Sequence, residues 1–596
     1  MRSCCCTVLL CLVVSVIADN LPDVIVVGSG TAGTYFLRQL VPKYPNLRFV
    51  VIDAGDFLSS HVGASQPRTS AFNASVTDLT SIDIPGQYNN LAYVKSIDAA
   101  YQLPEATWGF LGRGIGGNAN FNGALMQIPD DSYFDSWPTG WQAADLATYY
   151  SSVFSACNVT DTPSADRQHY ANASFHILAA TAASLGSKQT ESVHMPPVGV
   201  LQHGYPNVGV VKGERCYVTK QLEELFTSNG TSRFSNLELI KNSKVTRMLL
   251  DTTSASGIRA LGVEYVTLDN GFPHTILLSQ AQNSPRKIIL AAGAVITPTI
   301  LYRSGVGPSS LKDFVFPGGS NFTVDNEGVG VRLSDHNGAA IVVECSQYDA
   351  YQSFQYAPHD VEAYLTNRTG PFAQYAPVFY MYNGSSRVEL FVNPWGLGTI
   401  AQDPQPSPWN NQHTFSINAV LFDPMPRSYV MWNTTTSTVA YPDVYNNAED
   451  VANVANALHL FLTQLLKNFG EANPSSNCSV SFGPGAPPFE QMSPFSATDM
   501  FNYVNAWGPY PYEGDVWWSH LVMNHFVGTV PISEGGQFGA DPSTLKVGGL
   551  ANVHAVDASI IPGPVWAHPV ATILAVAAKA ADLISAEFEA SQSLRQ

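Results

Sequence analysis

Residues 23–53 read DVIVVGSGTAGTYFLRQLVPKYPNLRFVVID, and this stretch decides the fold of the chain. The apolar, β-branched run Asp23–Gly28 is typical of a buried strand, and a helical pattern follows it to about Val41. A second apolar run, Leu47–Ile52, ends at Asp53. Together these segments predict a βαβ unit with a parallel sheet.

The turn between the first strand and the helix carries the glycine pattern of a dinucleotide site. Gly28, Gly30 and Gly33 allow a tight turn and a close approach of the backbone to a pyrophosphate at the helix N-terminus. Asp53 follows Gly33 by 20 residues, where a carboxylate can bind a ribose 2′-hydroxyl. An acid there disfavours a 2′-phosphate, so we expect an adenine dinucleotide other than NADP.

Two further glycine-rich segments lie downstream. Residues 112–123 read GRGIGGNANFNG, and residues 287–307 read KIILAAGAVITPTILYRSGVG. In the second segment a buried strand is expected to end at Gly293, and a helix to follow it. Each segment alone is equally compatible with a tight turn in a large fold.

Charge limits the partners of this protein. The net charge of its 596 residues is −18, and charged residues make up 13% of the chain, about half of the usual ~25%. This acidic balance argues against nucleic acid and anionic membranes as partners.

The N-terminus predicts secretion. Residues 1–18 combine Arg2, an apolar run and a final Ala18, which is typical of a cleaved signal peptide. The alternative is a membrane anchor, but the apolar run is shorter than the ~20 residues needed to span a bilayer. Nine Asn-X-Ser/Thr sequons support an extracellular glycoprotein: Asn73, Asn158, Asn172, Asn229, Asn321, Asn367, Asn383, Asn433 and Asn477.

Four cysteines remain after the predicted cleavage: Cys157, Cys216, Cys345 and Cys478. In an oxidising compartment they allow two disulfides, in three possible connectivities. Their wide spacing fits no zinc pattern, so no metal site is predicted.

Two histidines near the end of the chain are candidates for acid–base work. His525 lies in MNHFVGT and His568 in VWAHPVAT. A neutral imidazole suits proton abstraction near neutral pH, because its reference pKa is roughly 6.5. Together with a dinucleotide site, the pair points to redox chemistry on an alcohol.

These segments together resemble the glucose–methanol–choline (GMC) oxidoreductases, a family of FAD enzymes. The resemblance is carried by five motifs in order: residues 112–123, residues 293–307, Asn326–Gly330 with Asp335 and His336, Val556–Ser559, and His568–Pro569 with Thr572. The context of Asn524 and His525 is most similar to secreted sugar and alcohol oxidoreductases of the family.

The resemblance implies a set of cofactor-binding residues, beyond the three fingerprint glycines. Thr31 and Ala32 would line the pyrophosphate, with Asp53 on the adenosine ribose and Val245 meeting the adenine through its backbone. The residues implied nearer the flavin are Asn118, Asn122, Gly123, Ala558 and Pro569. Where some relatives carry a histidine linked to the flavin, this chain has Phe121, so we expect non-covalent FAD.

The expected function is FAD-dependent transfer of a hydride from the CH–OH group of an alcohol or sugar to flavin N5. His525 is assigned as the general base and His568 as a partner on the same oxygen, with the reverse assignment left open. The electron acceptor is oxygen, a quinone or a protein. The alternatives are a hydroxynitrile lyase on the same scaffold and a non-catalytic flavoprotein.

Other residues carry weaker expectations. His336 is expected to shape structure, and His520 is not favoured as functional. A group of aromatic residues is expected either to stack on a sugar ring or to pack in the core: Trp507, Tyr510, Tyr512, Trp517 and Trp518.

The predicted fold combines a discontinuous Rossmann-like FAD-binding domain of α/β type with a mainly β-sheet substrate-binding domain. The signal peptide covers residues 1–18. We expect the FAD-binding domain at 19–335, with parts of the substrate domain inserted, and again at 501–590 with the active site. The substrate domain, at 336–500, is expected to hold a helix near Val451–Phe469. A last strand and helix are expected at Val553–Ala558 and Ala571–Ile584, the helix packing on the core.

Overall fold

The structure is a computed structural model. It describes residues 21–65, 79–87, 111–255, 257–315, 322–346, 348, 351, 357–375, 378–394, 413–425, 428–433, 438–440, 447–472, 478–481, 496–505 and 520–593. The predicted signal peptide, the sequons Asn73, Asn321 and Asn477, and the aromatic group at 507–518 lie outside these residues.

The described chain contains both strands and α-helices. Its strands are β1 Val24–Val27, β2 Phe49–Ile52, β3 Lys188–Gln189, β4 Leu201–Gly204, β5 Val210–Val211, β6 Glu214–Arg215, β7 Leu237–Ile240, β8 Ser243–Asp251, β9 Arg259–Thr267, β10 Pro273–Leu277, β11 Lys287–Leu290, β12 Val306–Gly307, β13 Val324–Asp325, β14 Asn337–Cys345, β15 Phe379–Asn383, β16 Val388–Asn393, β17 Thr414–Leu421, β18 Met431–Asn433, β19 Thr438–Ala440, β20 Cys478–Ser481, β21 His520–Val522 and β22 Val553–Ala555. Its α-helices are α1 Thr31–Leu40, α2 Ala143–Cys157, α3 Phe175–Ser184, α4 Tyr217–Leu225, α5 Gly293–Arg303, α6 Lys312–Val315, α7 Pro358–Asn367, α8 Ala448–Ala472, α9 Ala497–Asn505 and α10 Val570–Ser593.

A five-stranded parallel sheet forms the first layer, in the order β22-β11-β1-β2-β7. All residues of β1 and β2 are buried, which explains why both read as continuous apolar runs rather than alternating ones. The predicted strand–helix–strand unit is confirmed in β1, α1 and β2. The predicted last helix is also confirmed, since α10 packs against α1 and α2. Within the described ranges, no helix is long and apolar enough to cross a membrane.

A second sheet has eight strands and is mainly antiparallel. Its order is β20-β14-β17-β16-β15-β4-β3, and β21 pairs with β14 beyond the end of β20. The sheet packs over its own apolar core, to which α8 contributes Leu458, Phe461 and Leu465. The predicted helix at Val451–Phe469 is thus confirmed within α8, and the predicted fold class is confirmed as well. The domain boundaries stay a prediction.

One helix of this region, α7, was not predicted. It is ten residues long and only Tyr364 is fully buried, so it has no broad apolar stripe for periodicity analysis to detect. Its start is visible in the sequence, because Pro358 is the first helical residue, a position that proline favours.

The four cysteines form two disulfides, Cys157–Cys216 and Cys345–Cys478. The first joins the end of α2 to the residue before α4. The second links directly opposed residues of the neighbouring strands β14 and β20. The two predicted disulfides are therefore confirmed. Each joins two cysteines that follow one another in the sequence.

Candidate active site

Glycines from two segments meet at the carboxyl end of the parallel sheet, and we call this group the glycine cradle: Gly28, Gly30 and Gly33 around the start of α1, and Gly117 in the loop at 112–123. A Cβ atom on Gly28 would lie 2.6 Å from the carbonyl oxygen of Ala291, and one on Gly117 would lie 2.7 Å from Cα of Gly30. A Cβ on Gly33 would lie 2.4 Å from the carbonyl oxygen of Gly28. Side chains are therefore excluded at Gly28, Gly33 and Gly117, whereas a Cβ on Gly30 would make an ordinary contact, 3.7 Å from Cα of Gly117. This close approach of backbone at the N-terminus of α1 is what pyrophosphate binding requires.

Asp53 is buried beside the glycine cradle at the end of β2. Its Oδ2 accepts hydrogen bonds from the amide of Ser29 at 2.7 Å and from Ser29 Oγ at 2.8 Å. Its Oδ1 accepts one from the amide of Gly55 at 2.7 Å. A carboxylate offers about four acceptor positions, so acceptor capacity remains for a ribose hydroxyl. The ribose role of Asp53 stays a prediction.

Asp557 joins the second glycine-rich signature to the C-terminal segment. Its Oδ2 accepts from the amide of Gly293 at 2.9 Å and from Thr297 Oγ1 at 2.6 Å, and its Oδ1 accepts from the amide of Ser559 at 2.8 Å. Burial raises the pKa of Asp557, and these hydrogen bonds oppose the rise. The contacts fix Ala558 beside the start of α5, at the same sheet edge as the glycine cradle.

The remaining predicted flavin contacts cluster around the loop at 112–123. Asn118 Oδ1 accepts from the amide of Gly112 at 2.6 Å. The backbone carbonyl of Asn122 accepts from Arg215 Nη1 at 2.9 Å. Arg215 is buried, although sequence analysis did not single it out, and it holds this loop from β6. The flavin contacts of Asn118, Asn122 and Gly123, and the backbone contact of Val245 with the adenine, stay predictions.

Phe121, at the position of the flavin-linked histidine in some relatives, packs against Leu58 and Ile82. Its ring also fills the space beside Gly112, where an added Cβ would lie 2.6 Å from it. A benzyl ring in this place offers no atom for a histidyl bond.

His525 and His568 lie together, as the sequence predicts. Their ring centroids are 5.1 Å apart in an edge-to-face arrangement. His525 follows β21 of the eight-stranded sheet, whereas His568 and Pro569 immediately precede α10 on the side of the parallel sheet. The pair thus spans the junction of the two sheets.

A buried carboxylate that sequence analysis missed holds His568. His568 Nε2 is 2.7 Å from Glu389 Oε2, and both side chains are almost completely buried. Glu389 Oε1 accepts from Gln127 Nε2 at 2.8 Å, and Gln127 Oε1 accepts from the amide of His568 at 3.3 Å. The available signal was an acid inside the apolar strand β16, since such an acid must find a polar partner when buried.

His525 is held by two consecutive residues, Asp335 and His336. Asp335 accepts the amide hydrogens of His525 at 2.6 Å and of Asn524 at 3.2 Å. The two Nδ1 atoms of His336 and His525 are hydrogen-bonded at 2.8 Å. His336, which is expected to shape structure, therefore also contacts a candidate catalytic residue directly. We call His336, His525, His568 and Glu389 the histidine cluster.

Burial dominates the electrostatics of this region. It lowers the pKa of His525 well below the usual value, with further lowering by His336 and His568. It also lowers the pKa of His336 to about 3, with a contribution from His568. For Asp335, burial raises the pKa to about 7 against the opposing backbone hydrogen bonds. His336 and His525 are thus both neutral at neutral pH, and His525 has a nitrogen available to accept a proton.

The parallel sheet and the glycine cradle define a dinucleotide-binding protein, and the family comparisons identify its class. Residues 23–338 match the N-terminal GMC oxidoreductase model, and residues 424–577 match the C-terminal one. The chain belongs to the GMC oxidoreductase family. It is an FAD-dependent oxidoreductase that acts on CH–OH donors.

Individual relatives are distant but cover much of the chain. Glucose oxidase of Aspergillus carbonarius is 23% identical, covering 97% of this chain and 94% of its own. Oxygen-dependent choline dehydrogenase of Pectobacterium atrosepticum is 25% identical, covering 62% and 67%. Among solved structures, formate oxidase of Aspergillus oryzae shares the fold with a TM-score of 0.67 and 18% identity, covering 96% of this chain and 99% of that one.

Proposed function

We propose that this protein oxidises an alcohol or a sugar, with His525 as the general base and His568 as its partner on the reacting oxygen. The observation that carries the proposal is the contact between the two imidazoles, 5.1 Å apart, at the junction of the two sheets. FAD supplies the hydride acceptor at its N5 position. The chain itself supplies proton abstraction and charge stabilisation.

The hydrogen bonds of the two rings support this division of labour. His568 uses Nε2 to bind Glu389, and His525 uses Nδ1 to bind His336. Among the described residues, no hydrogen bond engages His525 Nε2 or His568 Nδ1. Each ring therefore keeps one nitrogen for a substrate hydroxyl, which a base and a hydrogen-bonding partner acting on one oxygen both need.

Glu389 acts on the reaction through His568. The buried carboxylate binds Nε2 and so fixes the orientation of the ring, which leaves Nδ1 for the substrate oxygen. Gln127 in turn fixes the carboxylate. The acceptor of the electrons is oxygen, a quinone or a protein, and the names of the relatives include both an oxidase and an oxygen-dependent dehydrogenase.

The test is anaerobic rapid mixing of holoenzyme with a panel of alcohols and sugars, followed by flavin absorbance. Substrate should bleach the flavin, and His525→Ala should slow bleaching by about 10²–10⁴-fold, the contribution of a positioned base. Reoxidation, which involves no substrate hydroxyl, should change much less. An unchanged rate of reduction in His525→Ala would refute the assignment of the base.

The same experiment separates the alternatives. A hydroxynitrile lyase would consume a cyanohydrin without bleaching the flavin, and a non-catalytic flavoprotein would do neither. His568→Ala should also slow reduction, and His568→Asn should slow it less, because an amide can still donate to the oxygen. The double variant should be less impaired than the product of the single effects, since both side chains act on one atom.

We further propose that the protein is secreted and glycosylated and binds FAD non-covalently. The described sequons Asn158, Asn229 and Asn367 are exposed, and two disulfides are formed. Mass spectrometry of secreted protein should find glycans at these three asparagines and a chain that begins near residue 19. Acid precipitation should leave the flavin in the supernatant, and a yellow pellet would contradict non-covalent binding.

A further inference from the structure

We propose that His336 is a positioning residue that selects the tautomer of His525, so that Nε2 of His525 faces the substrate as a proton acceptor. The inference rests on the proposed function, because it concerns the residue assigned there as the base. It assigns a chemical role to a histidine that the motif alone marks only as part of a loop.

The hydrogen bond between the two Nδ1 atoms, 2.8 Å apart, can hold one proton. If His336 donates it, neutral His525 must carry its own proton on Nε2 and cannot act as a base there. If His525 donates it, Nε2 of His525 has a free lone pair. The nitrogen that carries the proton in a neutral imidazole is decided by the hydrogen bond that the other nitrogen makes.

The proposed function requires the second arrangement, because Nε2 of His525 can accept a proton only when Nδ1 carries one. Nδ1 of His336 is then the acceptor for the N–H of His525, and neutral His336 carries its own proton on Nε2. That Nε2 atom is buried and has no hydrogen-bond partner among the described residues. The hydrogen bond at Nδ1 is therefore the one through which the ring of His336 acts on its neighbours.

The arrangement also suits His525 after it has taken a proton. Protonated His525 still donates from Nδ1, and His336 remains a neutral acceptor because burial and His568 lower its pKa to about 3. The titratable groups around His336 are Asp335 beside it, His525 after β21 and His568 before α10, with Glu389 on β16 behind His568. The hydrogen bond between the two rings can therefore persist when His525 is protonated.

The backbone fixes the same geometry. Asn337 at the start of β14 pairs with Val522 at the end of β21, and Ser334 and Val527 exchange two backbone hydrogen bonds. The segments 334–337 and 522–527 are therefore tied on both sides of the contact. Asp335 holds the amide of His525 while His336 holds its ring, so one dipeptide orients both ends of the residue.

The test compares His336→Leu with His336→Asn in the holoenzyme. Asn places an oxygen near the position of Nδ1 and can accept from His525, whereas Leu offers no acceptor. We expect His336→Leu to slow flavin reduction by roughly 10–100-fold, below the full contribution of a base, with KM little changed and an altered pH profile. His336→Asn should stay within about fivefold of the wild type. Equal losses in both variants, or none in His336→Leu, would overturn the proposal.

Neutron diffraction from crystals of the oxidised holoenzyme gives a readout independent of turnover and of any variant. Deuterium should appear on Nδ1 of His525 and on Nε2 of His336, and deuterium on Nδ1 of His336 would overturn the inference. Rapid mixing distinguishes failure of the proposed base from failure of its positioning residue. Fast reduction in His525→Ala refutes the proposed base, whereas slow reduction in His525→Ala with fast reduction in His336→Leu refutes only the role of His336.

Discussion

The glycine cradle and the histidine cluster both lie near strand ends, but the sequence reveals them to very different extents. The cradle excludes side chains, so each of its loops must carry glycine, and short glycine-rich motifs reveal it. The histidine cluster joins side chains that are 179 and 189 residues apart in the chain. A constraint on the backbone can therefore be recognised from a short stretch of sequence, whereas a contact between distant side chains cannot. Four experiments test this contrast.

The largest effect should come from the cradle. Gly28 has a φ of +91°, and its added Cβ would lie 2.6 Å from the carbonyl oxygen of Ala291. Gly28→Ala should therefore yield protein with no bound FAD, measured as flavin absorbance per chain. Gly186→Ala is the matched control, since Gly186 has a φ of +86° with no atom within 4 Å. The control should retain FAD, with only the cost of left-handed strain, about 1–2 kcal/mol. Full FAD occupancy in Gly28→Ala would show that FAD binding does not depend on the close backbone approach at Gly28.

Next in size is Glu389, which separates cofactor binding from chemistry. Glu389→Leu leaves the buried Nε2 of His568 and the amide of Gln127 without partners, at a cost of about 1–3 kcal/mol for each group. We expect FAD content near one per chain and flavin reduction slower by roughly 10²-fold, measured by rapid mixing. Glu389→Gln keeps an acceptor and should lose less. Equal rates in Glu389→Leu and the wild type would show that the orientation of His568 does not depend on this carboxylate.

Asp53 should give a smaller, cofactor-specific effect. Charge-assisted hydrogen bonds to ribose hydroxyls are worth roughly 1.5–3 kcal/mol each, so Asp53→Ala should weaken FAD binding by about tenfold or more. Retention of FAD after dialysis measures this. Asp56→Ala removes a nearby acid whose ion pair with Lys241 is solvent-exposed, and it should retain FAD as the wild type does. If both variants retain FAD equally, Asp53 does not hold the ribose.

The smallest expected effect is on stability against pH. The folded-state pKa of His336 is about 3, below the unfolded value of roughly 6.5, so folding is favoured above pH 6.5 and loses this contribution as the pH falls toward 3. Between pH 7 and pH 5 the loss is roughly 2 kcal/mol. Asp335, whose pKa is raised in the folded state, has the opposite effect on stability as the pH falls. That effect is present in the wild type and in His336→Asn alike. His336→Asn should therefore lose less thermal stability than the wild type over this range, and parallel melting curves at both pH values would contradict it.

The predictability of each part follows from the same contrast. The strands β1, β2 and β11 and the helices α1, α5 and α10 were predicted, because buried strands read as apolar runs and these helices begin beside glycine or proline. Helix α7 was missed, since it buries only Tyr364. His525 and His568 were found through their motifs. Glu389, Gln127 and Arg215 were not, because each acts through a partner far away in the chain. The contact of His336 with His525 depends on the pairing of β14 with β21, which the sequence does not specify.

The bridge between Cys345 and Cys478 bears on how the protein must be produced. Beside β14, one border of the larger sheet is formed by two short strands end to end, β20 and β21. Unpaired strand borders recruit other chains and promote aggregation. The bridge tethers β20 to β14, and β21 leads directly to His525. Expression in a reducing cytosol would release the tether, so recombinant work should favour an oxidising export route, and thiol reductants should be kept out of purification buffers.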